Sequence, residues 1–224
     1  VEGTTFPAFL LLRNQVDRLF TIRHEQAQVR VQFWAGGRLA TTSSQGSCWG
    51  FIQHGEAQLD TPQGTFLLRA GMYFASPDPL EMSGTGEGLL VTQTEHQAFF
   101  MMGGPVEARG RLRYMDGCTD SLLIAPPLLG DPCLNLLHIP RHTFQHQHTH
   151  PSLRAGMIVA GSGQCITPAQ SYPLVAGQAF VILPHAPHSF ATETEELLVI
   201  AYHPDSDFGP TDEHHPMINR TYLK

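Results

Sequence analysis

Gly156-Met-Ile-Val-Ala-Gly161, with Gln164, Thr167-Pro168 and Ala176-Gly177 behind it, has an earlier counterpart in Gly50-Phe-Ile-Gln-His-Gly55, followed by Gln58, Thr61-Pro62 and Ala70-Gly71. Shifted by 106 residues, 156–189 falls on 50–83, and eleven of thirty-four positions agree. The matching pairs are Gly50/Gly156, Ile52/Ile158, Gly55/Gly161, Gln58/Gln164, Thr61/Thr167, Pro62/Pro168, Leu68/Leu174, Ala70/Ala176, Gly71/Gly177, Phe74/Phe180 and Ser83/Ser189. Unrelated segments of average composition would agree at about two, so the chain holds two copies of one structural unit. Further on, Glu87-Gly-Leu-Leu-Val and Glu195-Glu-Leu-Leu-Val match at an offset of 108, which places a two-residue insertion after His188.

Outward from the repeat, glycine (21) and proline (17) interrupt short apolar stretches every 8–12 residues, the pattern of a sandwich or barrel of short strands. Val29–Phe33, Phe66–Leu68, Gly88–Gln93, Leu134–Ile139, Gly156–Ala160 and Glu196–Tyr202 read as strands. Only Asn14–Arg23 offers a short helix. At 224 residues there is room for two cores. The expected organisation is an N-terminal arm (1–26), a first barrel (27–98), a connector (99–130), a second barrel (131–206) and a tail (207–224).

Thirteen basic against twenty acidic residues give a net charge of −7. With no Lys/Arg cluster, a nucleic-acid partner is not expected. No apolar run approaches the length of a membrane span, and the apolar Phe6–Leu12 is expected to pack as an arm on the body. Cys48, Cys118, Cys133 and Cys165 are scattered and form no Cys-x-x-Cys pair, which suits reduced, buried thiols in a cytoplasmic protein.

The copies differ where chemistry would sit. The second carries His146-Gln-His148-Thr-His150 and later His188; the first has Ala40, Thr42, Ser44 and Met82 at those offsets. If 146–154 is a strand, alternate residues share a face, and His146, His148, His150 and Arg154 project together. Three imidazoles on one face with a fourth nearby need many hydrogen-bond partners if they are only structural, so a metal site is the favoured reading. His203, at the end of the last strand, could reach the barrel mouth, but a surface or strand-end histidine is the favoured reading. Asp212–His215 reads as solvated tail.

His142-x5-His148-x-His150-x3-Arg154-x6-Gly161 and Gly177-x5-Leu183-Pro-His-Ala-Pro-His188 resemble the two motifs of the cupin superfamily, Gly-x5-His-x-His-x3-Glu-x6-Gly and Gly-x5-Pro-x-Gly-x-x-His. The first copy keeps that frame as Gly36-x5-Thr42-x-Ser44-x3-Cys48-x6-Gly55 without a ligand. The chain thus resembles a bicupin with a degenerate first barrel. The resemblance implies an all-β fold of two tandem double-stranded β-helix (jelly-roll) barrels. It also implies one divalent transition metal (Fe, Mn, Ni, Zn or Cu) on His148, His150 and His188 of the second barrel, with positions left open for water or substrate.

Arg154 stands where the family usually supplies a glutamate. A guanidinium about 5 Å from a dication is repelled by about 6–7 kcal/mol at an effective dielectric of 20. Arg154 must turn outward or meet an anion between itself and the metal; in the second case it binds a substrate carboxylate or enolate. His146 is a candidate for the vacated ligand position. His142 and His185 replace motif glycines and either line the pocket or face water.

The leading expectation is a metal-dependent enzyme acting on a small organic molecule, specifically an oxygen-dependent dioxygenase. Two alternatives stay open: a metal-dependent isomerase or lyase, for which no acid or base carboxylate is visible in the motifs, and a non-catalytic cupin that binds a metal or small ligand. A homodimer is expected, because exposed sheet edges need covering.

Overall fold

The computed structural model describes residues 8–12, 19–41, 46–77, 79–218 and 221–222. Among the described residues seventeen strands follow one another: β1 (Phe9–Leu12), β2 (Leu19–His24), β3 (Ala27–Thr41), β4 (Gly46–His54), β5 (Glu56–Thr61), β6 (Gly64–Arg69), β7 (Tyr73–Pro77), β8 (Leu80–Thr94), β9 (Met101–Gly103), β10 (Leu112–Arg113), β11 (Thr119–Ile124), β12 (Cys133–Ile139), β13 (Arg154–Ile166), β14 (Ser171–Val175), β15 (Ala179–Ile182), β16 (Ser189–Ala191) and β17 (Leu197–His203). The helical content among the described residues is two 3-10 turns, Met115–Gly117 and Pro216–Ile218. Each stretch read as a strand lies in one, except that Glu196 stands just before β17. Of the expected helix 14–23, residues 19–23 belong to β2 and the rest fall outside the described residues.

Two sheets divide the chain. One, in the order β2-β3-β8-β4-β7-β9 with β5 and β6, holds the N-terminal half; the other, β1-β15-β13-β17-β12-β11-β10 with β14 and β16, holds the C-terminal half. The expected connector contributes to both, through β9 on one side and β10 and β11 on the other. β1 crosses over: Phe9–Leu12 of the apolar arm pairs with Ala179–Ile182.

Strand alternation explains the three cores. Trp49 and Phe51 of β4 and Leu89 and Val91 of β8 face Leu198, Ile200 and Tyr202 of β17 and Met157 of β13 in a cluster that joins the halves. The alternate residues, Cys48, Ile52 and Leu90, turn into the N-terminal interior with Phe74 and Met82. Leu197 and Val199 do the same in the C-terminal half, with Phe180 and Phe190. Period-two burial on both faces is what a strand lying between two cores requires.

The repeat is a repeat of geometry. The Gly71 N–H donates to the Ile52 carbonyl and the Ile52 N–H to the Met72 carbonyl, as the Gly177 N–H donates to Ile158 and the Ile158 N–H to Gln178, each glycine bond being 2.8 Å. Gly55 and Gly161 both take positive φ, as do Gly71 and Gly177, and the β-bulge after Ile52 recurs after Ile158. The drift is larger than the Leu-Leu-Val match suggests. Gly50 pairs with Leu90, and Gly156 with Ala201, forty residues on in one half and forty-five in the other, so the second is longer by five and not by two. An odd slip turns every side chain to the other face, and Leu197 accordingly points inward where Leu89 points to the shared core.

Candidate metal and ligand site

The histidine stretch is not a regular strand. Between β12 and β13 the chain makes only isolated bridges, Phe144 to Ala191 and His148 to His188, so alternation does not hold there. His148 and His188 exchange both backbone bonds at 3.0 Å, and the His185 N–H donates to the His150 carbonyl at 2.7 Å. These links fasten the two motifs to each other.

They bring His148, His150 and His188 together, with ring centroids 4.5–5.1 Å apart and one nitrogen from each within 4.8 Å of the others. His146 is not brought to the cluster. Its side chain is 85 % exposed, and its ring pairs with Asp116 at 2.7 Å, an aspartate that also accepts the His146 N–H. Those bonds hold the Asp116 carboxyl below its usual range.

The tautomers follow from the partners. Nδ1 of His148 lies 2.9 Å from the His146 carbonyl, and Nδ1 of His188 2.9 Å from that of Ala186. A carbonyl only accepts, so both Nδ1 atoms carry the proton and both Nε2 atoms present a lone pair. Nε2 of His188 is buried and has no hydrogen-bond partner. Burial, then Arg154 and the neighbouring histidines, lowers His150 to about 3. Burial first, then His148 and Arg154, lowers His188 to about 4 against the Ala186 bond. Neutral imidazoles with carbonyl-fixed rings and converging free nitrogens are the form a divalent transition metal requires, and an orphaned buried nitrogen fits such an ion better than a satisfied core.

The cluster forms one wall of a cavity of about 270 Å³. The rest is supplied in alternate steps by the C-terminal sheet: Asp120 from β11, Asn135 and Leu137 from β12, Arg154 from the start of β13, Phe180 and Ile182 from β15, Phe190 from β16, and Val199, Ala201 and His203 from β17, with Tyr114 at the 3-10 turn. His203 is the last residue of β17, and it also lines the cavity, the less favoured of the positions the sequence offered; burial, then Arg154 and His150, pushes its ring well below the usual range.

Arg154 does not turn to solvent. Its side chain is 12 % exposed. Nη1 donates to Ser152 Oγ at 2.7 Å and to the Leu153 carbonyl at 2.9 Å, and stands 3.9 Å from Asp205, which takes the Ser152 hydroxyl. Its Nε is buried without an acceptor. Asp120, which no motif pointed to, is the one carboxylate among the described residues that lines the cavity; both its oxygens accept from Asn135 Nδ2 at 3.1 Å, and burial raises its carboxyl. The motif glycine positions end outside: His142 and His185 are exposed, with φ of 59° and 58°.

In the N-terminal half Met82, at the offset of His188, is buried in the apolar core beside Cys48; Thr42 and Ser44 lie outside the described residues. All four cysteines are buried. No helix among the described residues is long and apolar enough to cross a membrane.

No curated protein matches the chain in sequence. Residues 129–208 match the family described as AraC-like ligand binding domain. Among solved structures, a cupin 2 conserved barrel domain protein from Leptotrichia buccalis is 12% identical, with a TM-score of 0.59 over 85% of this chain and 91% of that one. Protein Ylba from E. coli is 11% identical, with a TM-score of 0.59 over 94% and 89%. Salicylate 1,2-dioxygenase from Pseudaminobacter salicylatoxidans is 11% identical, with a TM-score of 0.57 over 82% and 75%. At such identities the likeness is one of fold, and the fold of this chain is the all-β cupin fold.

Proposed function

We propose that the C-terminal half is a metal-dependent enzyme acting on a small organic molecule, and that an oxygen-dependent dioxygenation is its reaction. The observation that carries this reading is the buried, partnerless Nε2 of His188 converging with His148 and His150 on a cavity that also holds a buried arginine. The three imidazoles would hold a divalent transition metal. A redox-active metal such as iron, held by one face, supplies the electron transfer by which dioxygen reacts with an organic substrate.

The residues of the chain do the rest. The carbonyls of His146 and Ala186 fix two ligand rings. Phe180, Ile182, Phe190 and Val199 exclude water. Arg154, short of an acceptor, binds and orients an anionic group of the substrate. The fold likeness to a salicylate dioxygenase supports this choice among cupin chemistries, although a fold hosts many. The N-terminal half, with Met82 and Cys48 in an apolar interior, serves as a degenerate, structural barrel.

Asp120 favours a second reading. A carboxyl raised by burial on the wall of the same cavity suits proton transfer, as a metal-dependent isomerase or lyase needs. The match to a ligand-binding family supports a third, non-catalytic one. Oxygen uptake by iron-reconstituted protein with a panel of small carboxylates separates them. Uptake that is lost in His188→Ala supports the dioxygenase; turnover without uptake moves the assignment to isomerase or lyase; stoichiometric binding without turnover moves it to the binding module.

A further inference from the structure

Two groups on the wall of the same cavity lack partners of opposite kinds. Arg154 is a donor without enough acceptors: Nη1 is spent on Ser152 and Leu153, Asp205 stands 3.9 Å off and is engaged with Ser152, and Nε has nothing. Asp205 offsets part of the charge at the limit of ion-pair distance, but the buried Nε of this largely buried guanidinium still has no acceptor, and an anionic group in the cavity would supply one. Asn135 is the reverse. Its amide must point Nδ2 at Asp120, because turning it over would set a carbonyl against a carboxylate. Its Oδ1 is then a buried acceptor that receives no hydrogen bond, and Asp120 beside it adds more acceptor capacity.

We infer that the substrate is a small hydroxy- or amino-carboxylate with an apolar body, its carboxylate paired with Arg154 and its hydroxyl or amine donating to the Asp120–Asn135 pair. A simple carboxylate leaves Asn135 Oδ1 unsatisfied; an alcohol or amine without the acid leaves Arg154 unsatisfied; either omission costs more than the missing bond returns. Phe180 and Phe190 line the same cavity and receive the apolar part. The inference rests on the reading of this cavity as a substrate site beside the metal and adds the substrate class.

The test is calorimetric titration of the protein, as purified and zinc-reconstituted, with 2-hydroxy-2-phenylacetate, phenylacetate and benzyl alcohol at millimolar concentration. The hydroxy acid is expected to bind at least about tenfold tighter than either truncated probe. Arg154→Met removes its advantage over benzyl alcohol, and Asp120→Asn or Asn135→Leu removes its advantage over phenylacetate. If Asp120→Asn does not fold, Asn135→Leu decides alone. Equal affinity for phenylacetate, an advantage that survives these variants, or no binding of the hydroxy acid overturns the inference. Zinc-loaded protein does not consume oxygen, so the outcomes separate: discrimination without oxygen uptake in the iron form removes the dioxygenase and keeps the substrate class, and uptake without discrimination does the reverse.

Discussion

Phe180 lies directly over Gly156 on the neighbouring strand, so that a β-carbon at 156 would overlap its ring and stand 2.7 Å from the Ile200 carbonyl. Phe74 covers Gly50 in the same way in the other half. Two of the identities in the repeat, glycine and phenylalanine, are one contact made twice. Gly156→Ala should destabilise the protein by about 1–3 kcal/mol, the usual range for overpacking, measured by chemical denaturation. Phe180→Leu in the same chain should restore part of the loss; no recovery would mean that the ring is not the obstacle.

His142 and His185 occupy left-handed backbone where the family motif has glycine. Neither side chain enters the cavity. Replacing either with glycine should raise stability by about 0.5–1 kcal/mol, relief of a disfavoured φ offset by the freer unfolded chain. Metal content should stay unchanged. Loss of metal in His185→Gly would show that the backbone bond to His150 depends on the side chain.

Asp116 and His146 form a pair at the rim, outside the cluster. Asp116→Ala should therefore leave bound metal per chain at the wild-type level, by elemental analysis, and His146→Ala should do the same. Metal lost in His146→Ala would make it a ligand after all.

Burial holds His150 to about 3 and His188 to about 4, whereas an imidazole in an unfolded chain titrates at about 6.5. As pH falls through that value, the unfolded state takes up protons that the folded state refuses. Stability is then fully present above the unfolded pKa and declines with pH toward the folded values. Denaturant midpoints of the metal-free protein should drop between neutral pH and about pH 4, and the drop should be shallower in His150→Gln/His188→Gln. An identical slope in that variant would assign the effect to other groups.

What could be read in the sequence was what the fold imposes locally. The turn glycines and the Gly–Phe contacts recur because the backbone demands them, so two copies of an all-β unit were visible in Gly50/Gly156, Gly71/Gly177 and Phe74/Phe180. The outward turn of His146 was not, because alternation applies only along a ladder and the chain has only isolated bridges there. The last-strand offset misled because Leu-Leu-Val fits both faces of a strand buried on two sides. Asp120, Asn135 and Tyr114 carry no motif; they reach the cavity only because β11, β12 and the 3-10 turn fold against β13 and β17.

The central claim is that His148, His150 and His188 hold one divalent metal. Elemental analysis of purified wild type beside His188→Ala, before and after anaerobic reconstitution with iron, manganese, nickel, zinc and copper, tests it most directly. The account predicts about one metal per chain, lost in the variant. Metal-free wild type after every reconstitution, or the same content in His188→Ala, would contradict it.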